Sequence, residues 1–456
     1  MAKLVWRVKL VAGLGPDLLS ETEVGRIERD DRVISETVGL TLAESKQLIA
    51  AAQVEIVRAQ VAVTGERFRW CEHCGRKLVS KGYYPSTFRS LFGNVPVRVR
   101  RLRACRCEAQ PQDADTFSAL ATNGGVAPEL AYVTARFAAL VPFAKVADLL
   151  SELLPIGGAA NAGTVRNRTM RVGIDVAKIA PTAALISGSG PVTPAVVIGL
   201  DGGYVRSRHR RPERNFEVIA GKVIGADGAQ HRFAFARNGN SAEQFAGALT
   251  RGGVRSSTPA TVLSDGDTGL RSLQTQVLPT ATVVLDWFHI AMRFEHVLKV
   301  AAGVGARTSE IQRSDVERAK WCLWHGRWKG CLIKLATLHR RIDAERIRDI
   351  KGVAALRQHV RDLIAYLEAN RSGLVNYGAR HRRGEPISTA FVESAVNEII
   401  SRRMIKKQQM RWNRWTVQPF LDVRVAVLNG TLENSFRQLY PSFRPANDPR
   451  RISAAA

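Results

Sequence analysis

Three aspartates in this chain each close an apolar run. A stretch beginning at Ala195 reaches Asp201, the run Ala260 to Ser264 stops at Asp265, and Val283-Val284-Leu285 stops at Asp286. An imidazole, His289, follows three residues after the last of these, and a carboxylate, Glu393, stands in a later helical pattern. Carboxylates are the hard oxygen ligands that magnesium prefers. Two such ions about 3.5–4 Å apart can activate an attacking oxygen and stabilise a leaving one in an in-line displacement at phosphorus. Each residue also has a plain structural reading. Asp201 fits the turn Asp201-Gly202-Gly203, Asp286 fits a helix N-cap, and His289 fits a core or rim position. Asp267 reads better as the N-cap of the next helix than as a ligand.

A second group of ligand-type residues lies upstream. Cys71 and Cys74 form a CxxC pair, and Cys105 and Cys107 a CxC pair. Each pair can hold one edge of a tetrahedral metal, and thiolates select zinc. His73 could replace a cysteine, but four thiols already fill the shell; the plain alternative is reduced cysteines that happen to be close. Between the pairs, Val97-Arg98-Val99-Arg100 alternates with period two, which predicts a zinc-ribbon strand with Arg98 and Arg100 on one face, suited to phosphates. Cys322 and Cys331 lie apart in a helical stretch, so no disulfide framework is expected.

The charge balance points the same way. Lys and Arg number 67 against 41 Asp and Glu, a formal charge of +26 over 456 residues. Such an excess favours a polyanionic partner, nucleic acid first, over a ribosomal-type structural role or a surface basic only for solubility. The first thirty residues interrupt their apolar runs with Arg7, Lys9, Asp17 and Glu21, so no signal peptide is expected. No later stretch reads as a membrane span. A cytoplasmic, nucleoid-associated protein without a membrane partner is the expectation.

The elements that must position these groups follow in order. Residues 1–66 read as an N-terminal helical region: a short strand Val5 to Val11, an acidic helical segment, then a helix opened by the capping-box spacing of Thr41 and Glu44. The ribbon occupies 67–115. Residues 126–180 give helix, helix, turn and a basic helix carrying Arg166, Arg168 and Arg171, the order of a helix-turn-helix that reads DNA, with a plain three-helix spacer as the alternative. A linker spans 181–194.

From 195 to 302 the pattern is three antiparallel strands, helix, strand, helix, strand. This is the order of a ribonuclease-H-like mixed sheet in an α/β multidomain protein, in which the first and fourth strands are neighbours and so bring Asp201 and Asp265 together. Glu393 and Glu398 cannot both face that site, because five residues turn a helix by about 500°; Glu393 is the choice, sharing a face with Asn397. The long gap before it predicts a helical insertion over 303–386. There Trp321, Trp324 and Trp328 have helical spacing and read as core in preference to a base-stacking platform. Residues 387–440 form the second part of the core. Its run of Arg402, Arg403, Lys406, Lys407 and Arg411 is assigned to the DNA backbone, with Trp412 and Trp415 as stacking candidates, and 441–456 to a disordered tail.

Taken together, Leu200-Asp201-Gly202-Gly203, Ser264-Asp265-Gly266, Asp286-Trp287-Phe288-His289, Phe391 to Asn397 and Lys406 to Trp412 resemble the DDE transposases of bacterial insertion sequences. The resemblance runs through nearly the whole chain, cysteine ribbon included. It implies Asp201, Asp265 and Glu393 as a triad holding two magnesium ions, and structural zinc on the four cysteines. It implies that Asp286 and His289 form a (C/D)xxH motif at the rim of the site, His289 near the scissile DNA and Asp286 holding it or the nearby backbone. The implied activity is phosphodiester cleavage and strand transfer at the element's ends, acting on double-stranded end and target DNA as a homodimer or larger assembly. A nuclease on the same fold and a non-catalytic DNA-binding regulator derived from a transposase are the alternatives.

Overall fold

The computed structural model describes residues 3–32, 34–71, 73–103, 105, 107, 124–157, 160–179, 194–209, 213–308, 311–343, 349–405 and 410–444. The chain forms two compact units, residues 1–179 with 431–456, and residues 180–430. The 181–194 linker falls almost wholly outside the described residues.

The first unit opens with an antiparallel hairpin, β1 (Lys3–Leu14) and β2 (Asp17–Asp30), turning at Gly15 with φ 61°. The acidic segment expected to be helical is therefore a strand. Pairing with basic β1 decides this over the local helix preference of its glutamates: Lys9 Nζ bonds Glu21 at 2.7 Å and Lys3 Nζ bonds Glu28 at 3.4 Å across the ladder. Helix α1 (Leu42–Arg67) begins at Thr41 with the capping box that its sequence predicts. By length and composition α1 could cross a membrane, against the sequence-based expectation of no such stretch. It nevertheless carries Glu44, Lys46, Glu55, Arg58 and Glu66, and its Val57 packs on Val95, Val97 and Val99.

Those valines lie on β4 (Gly93–Leu102), paired antiparallel with β3 (Ser80–Ser90). The period-two reading holds: the valines are buried and Arg98 is exposed. Three helices follow, α2 (Pro128–Leu140), α3 (Phe143–Leu153) and α4 (Ala162–Ile179), at the places the sequence predicts.

The second unit holds a five-stranded sheet of β5 (Val196–Arg206), β6 (Asn215–Ile224), β7 (Gln230–Ala236), β8 (Ala260–Ser264) and β9 (Thr282–Leu285), in the order β7-β6-β5-β8-β9. The first three strands are antiparallel, and β8 and β9 join parallel to β5. The first and fourth strands are thus neighbours, as expected. Helix α5 (Ser241–Arg251) precedes β8 and α6 (Thr268–Val277) precedes β9, supplying the parallel crossovers.

After β9 come α7 (Trp287–Gly305), α8 (Arg313–Trp324), α9 (Trp328–Ile342), α10 (Val353–Ala369) and α11 (Tyr377–Arg382). These helices share one core with the sheet, in which Leu263, Val284 and Leu285 meet Phe294, Leu335 and Leu363. The chain then returns to the sheet through α12 (Ala390–Val396), which continues as a π-helix over Asn397–Ile405, and ends this unit with α13 (Gln418–Leu428).

A last helix, Leu432–Leu439, belongs to the first unit. Leu432, Phe436 and Phe443 are buried, and Tyr132 of α2 lies with its ring 5.2 Å from both Phe436 and Phe443. The start of the expected disordered tail, 441–444, is therefore ordered around an aromatic cluster; residues 445–456 lie outside the described residues.

Candidate active site

Strand β5 is paved with glycine on the face that carries Asp201. Side chains alternate along a strand, so positions 199, 201 and 203 share a face. A Cβ on Gly199 would collide with Val392, and one on Gly203 would lie 2.8 Å from Ile400 Cδ1. Helix α12 and its π-helical continuation lie directly against these glycines, and Glu393 is held over the strand that bears Asp201. The signal was present in the sequence as Gly-x-Asp-x-Gly, but it named no partner.

The parallel register supplies the second acid. Gly199 pairs with Leu263 and Ser264 with Leu285, so continuing the ladders sets Asp201, Asp265 and Asp286 at one level on three adjacent strands. Burial raises the Asp201 carboxyl above its ordinary range; the negative charges of Asp265 and Glu393 add to this, while the Gly202 N–H, 2.7 Å away, and His289 oppose it. Asp265 Oδ1 accepts from the Asp267 N–H at 3.0 Å, and Asp267 caps α6 through the N–H groups of Gly269 and Leu270, as its sequence position predicts.

Glu393 is exposed on α12, whereas Glu398 is engaged elsewhere. Arg232 Nε donates to Glu398 Oε2 at 2.8 Å, and Arg424 donates to the Glu398 carbonyl. The two glutamates therefore diverge, with Glu393 on the side of Asp201.

Asp286 is completely buried and plays two parts. It caps α7 by accepting from the Phe288 N–H at 2.8 Å, and its other oxygen lies 2.6 Å from His289 Nδ1 and accepts from Thr389 Oγ1. Burial pushes this carboxyl up, but the hydrogen bonds from His289, Thr389 and Phe288 outweigh it and the net shift is downward. His289 is raised, first by its bond to Asp286, with Asp265 and Asp201 adding; burial opposes. Both the cap and the holder readings of Asp286 apply.

Several residues beside the site had no signal in the sequence. Thr389 ties the start of α12 to Asp286. From α10, Tyr366 Oη donates to the Asp265 carbonyl at 2.6 Å, and from α7 the Arg293 guanidinium lies 4.0 Å from the Tyr366 ring centre. They come from remote segments, and only folding brings them here.

The donor chemistry is that of a site for a hard divalent cation. Three carboxylates, on β5, just after β8 and on α12, have no Lys or Arg bonded to their side chains among the described residues, and burial first, with the charges of Asp265 and Glu393 adding, raises the Asp201 carboxyl. Residues 198–330 match the model of a transposase family, the ISL3-type DDE transposases. This part of the chain is similar to the DDE transposases. The match takes in Asp201, Asp265, Asp286 and His289 and ends before Glu393. No curated protein matches the chain.

The four upstream cysteines also converge. The sulfurs of Cys71, Cys74, Cys105 and Cys107 lie within 4.8 Å of one another, with Cys71 to Cys107 at 3.7 Å and Cys74 to Cys105 at 3.4 Å. Tetrahedral zinc at about 2.3 Å from each sulfur sets neighbouring sulfurs roughly 3.8 Å apart, so the cluster fits that ion. His73 is exposed, outside the cluster.

The residues assigned to DNA fall into two groups. Arg98, Arg402 and Arg411 are exposed, and Arg166 is half-buried beside Asn167. Arg100 is held by the Tyr83 hydroxyl and by Glu66, and Arg168 turns inward to Thr134. Two assignments are corrected. Arg403 has no exposed surface and Trp412 only 4%; Trp412 packs on Phe420 at 4.5 Å, with the Arg403 guanidinium 5.6 Å from the Trp412 ring. The π-helix turns Arg403 into the core, so a sequence run of arginines does not form one basic face. Lys406 and Lys407 lie outside the described residues. Among the tryptophans, Trp324 and Trp328 pack against the core as expected, Trp321 is 59% exposed, and Trp415 is 80% exposed.

Proposed function

We propose that this transposase performs magnesium-dependent cleavage and strand transfer at the ends of its element, on a ribonuclease-H-like core. The observation that carries the reading is geometric: the parallel register sets Asp265 level with Asp201, and α12, which bears Glu393, lies against the glycines of the same strand. Those three carboxylates would hold the metal. Bound magnesium supplies the positive charge that activates the attacking hydroxyl and stabilises the departing oxygen. The protein's own share is placement: the sheet fixes Asp201 and Asp265, and the glycine-paved face of β5 fixes Glu393. His289, held through Nδ1 by Asp286, presents Nε2 to the DNA backbone. The four cysteines hold a structural zinc, the α2–α4 helices read the element's ends through residues such as Arg166, and pairing two ends requires at least a dimer.

The test is strand cleavage and joining on end-bearing DNA with magnesium. Asp201→Asn and Glu393→Gln abolish both steps and keep DNA binding. Cleavage retained by these variants would rule out this site.

A further inference from the structure

Helix α10 of the insertion grips the turn that carries Asp265. Tyr366 and Asn370 stand one helical turn apart, on one face of α10. Tyr366 Oη donates to the Asp265 carbonyl at 2.6 Å. Asn370 is 3% exposed and abuts Gly266, where a Cβ would lie 2.6 Å from its Oδ1. Gly266 has φ +90°, a conformation that favours glycine, so the chain turns sharply just after the acid. A third link comes from α6: Arg271 Nη1 donates to the Ala369 carbonyl at 2.7 Å, and its Nη2 reaches the Gly266 carbonyl at 3.5 Å. The carbonyls of Asp265 and Gly266, on two successive peptides, are thus held by groups from α10 and α6.

We propose that Tyr366 is a positioning residue for metal binding: through the Asp265 backbone it orients the Asp265 carboxylate, so that α10 sets the divalent-ion affinity of the site. This rests on the triad reading above. Among the described residues the carboxylate itself has one hydrogen bond, on Oδ1 from the Asp267 N–H. Its direction therefore follows the backbone, and the backbone is set by Tyr366. The ring in turn lies under Arg293, one turn beyond His289 on α7, so one side chain touches both the Asp265 turn and the helix that bears His289.

The experiment measures Mn2+ binding to the full-length protein by the free-ion electron paramagnetic resonance signal, with the Mg2+ dependence of cleavage alongside. Tyr366→Phe keeps the ring and removes only the donor; Arg271→Ala cuts the second link independently. Losing one such bond is expected to weaken Mn2+ binding roughly two- to tenfold in each variant. The Mg2+ concentration for half-maximal cleavage rises by a similar factor, and the rate at saturating Mg2+ stays near that of the wild type. A merely structural role would lower the rate at every Mg2+ concentration and leave the binding constant alone, which overturns the proposal. Asp201→Asn is the reference. If it loses Mn2+ binding while Tyr366→Phe and Arg271→Ala bind as the wild type does, the clamp is wrong and the triad stands. If Asp201→Asn binds normally, the triad reading fails and the clamp fails with it.

Discussion

His289 Nδ1 lies 2.6 Å from a carboxylate oxygen of Asp286, which has no exposed surface. The imidazole is raised from 6.5, so its contribution to stability is complete below that value and is lost as pH rises through the folded value. The carboxyl is lowered from 3.8, so its contribution is complete above that value and is lost as pH falls through the folded one. In the metal-free protein the pair is at full strength between about pH 3.8 and 6.5. Asp286→Ala, which removes the α7 cap as well, is expected to cost roughly 3 kcal/mol at pH 6 and less at pH 9, read by urea denaturation. An equal cost at both values would show that His289 is not charged in the fold.

Glu393 and Glu398 should separate in their effects. Glu393→Gln removes cleavage with little effect on stability. Glu398→Gln breaks the half-buried pair with Arg232, costs about 1 kcal/mol and leaves cleavage. Thermal unfolding and a cleavage assay on the two variants read both quantities, and inverted results would move the third metal ligand to Glu398.

Gly199 is the contact point between β5 and α12. Gly199→Ala forces Val392 away and carries Glu393 with it. Overpacking of this kind costs about 1–3 kcal/mol. Cleavage should fall well beyond what the loss of folded protein explains, measured at a temperature where the variant remains folded.

The cysteine cluster should carry one zinc ion per chain by elemental analysis. Cys74→Ser is expected to lower that content and to unfold the ribbon around β3 and β4, because a structural zinc contributes folding energy directly. Fully folded protein without zinc would refute the assignment.

Arg402 and Arg403 are adjacent and should behave oppositely. Arg402→Ala weakens DNA binding and lowers the slope of log affinity against log salt by about 1, with stability unchanged. Arg403→Ala leaves the slope alone and destabilises the fold, since its guanidinium packs against both the Trp412 and Phe420 rings.

Local pattern determined much of this protein. Apolar runs and turn residues marked β5 to β9, the Pro128 and Pro142 punctuation marked α2 and α3, and cysteine spacing marked the metal-ligand cluster, because each depends on neighbours a few residues away. The order of the elements, matching a ribonuclease-H-like sheet, predicted the adjacency of the first and fourth strands that sets Asp201 beside Asp265. Other features needed the folded chain. The 17–30 segment became a strand because β1 was there to pair with it, and Arg403 and Trp412 were buried because the π-helix changed which side faces the core. Tyr366, Asn370 and Thr389 reached the site from segments with no local mark of function. Contacts between remote segments are set by packing of the whole core, so only tertiary structure decided what surrounds the acids, while the acids stood in the sequence as candidates.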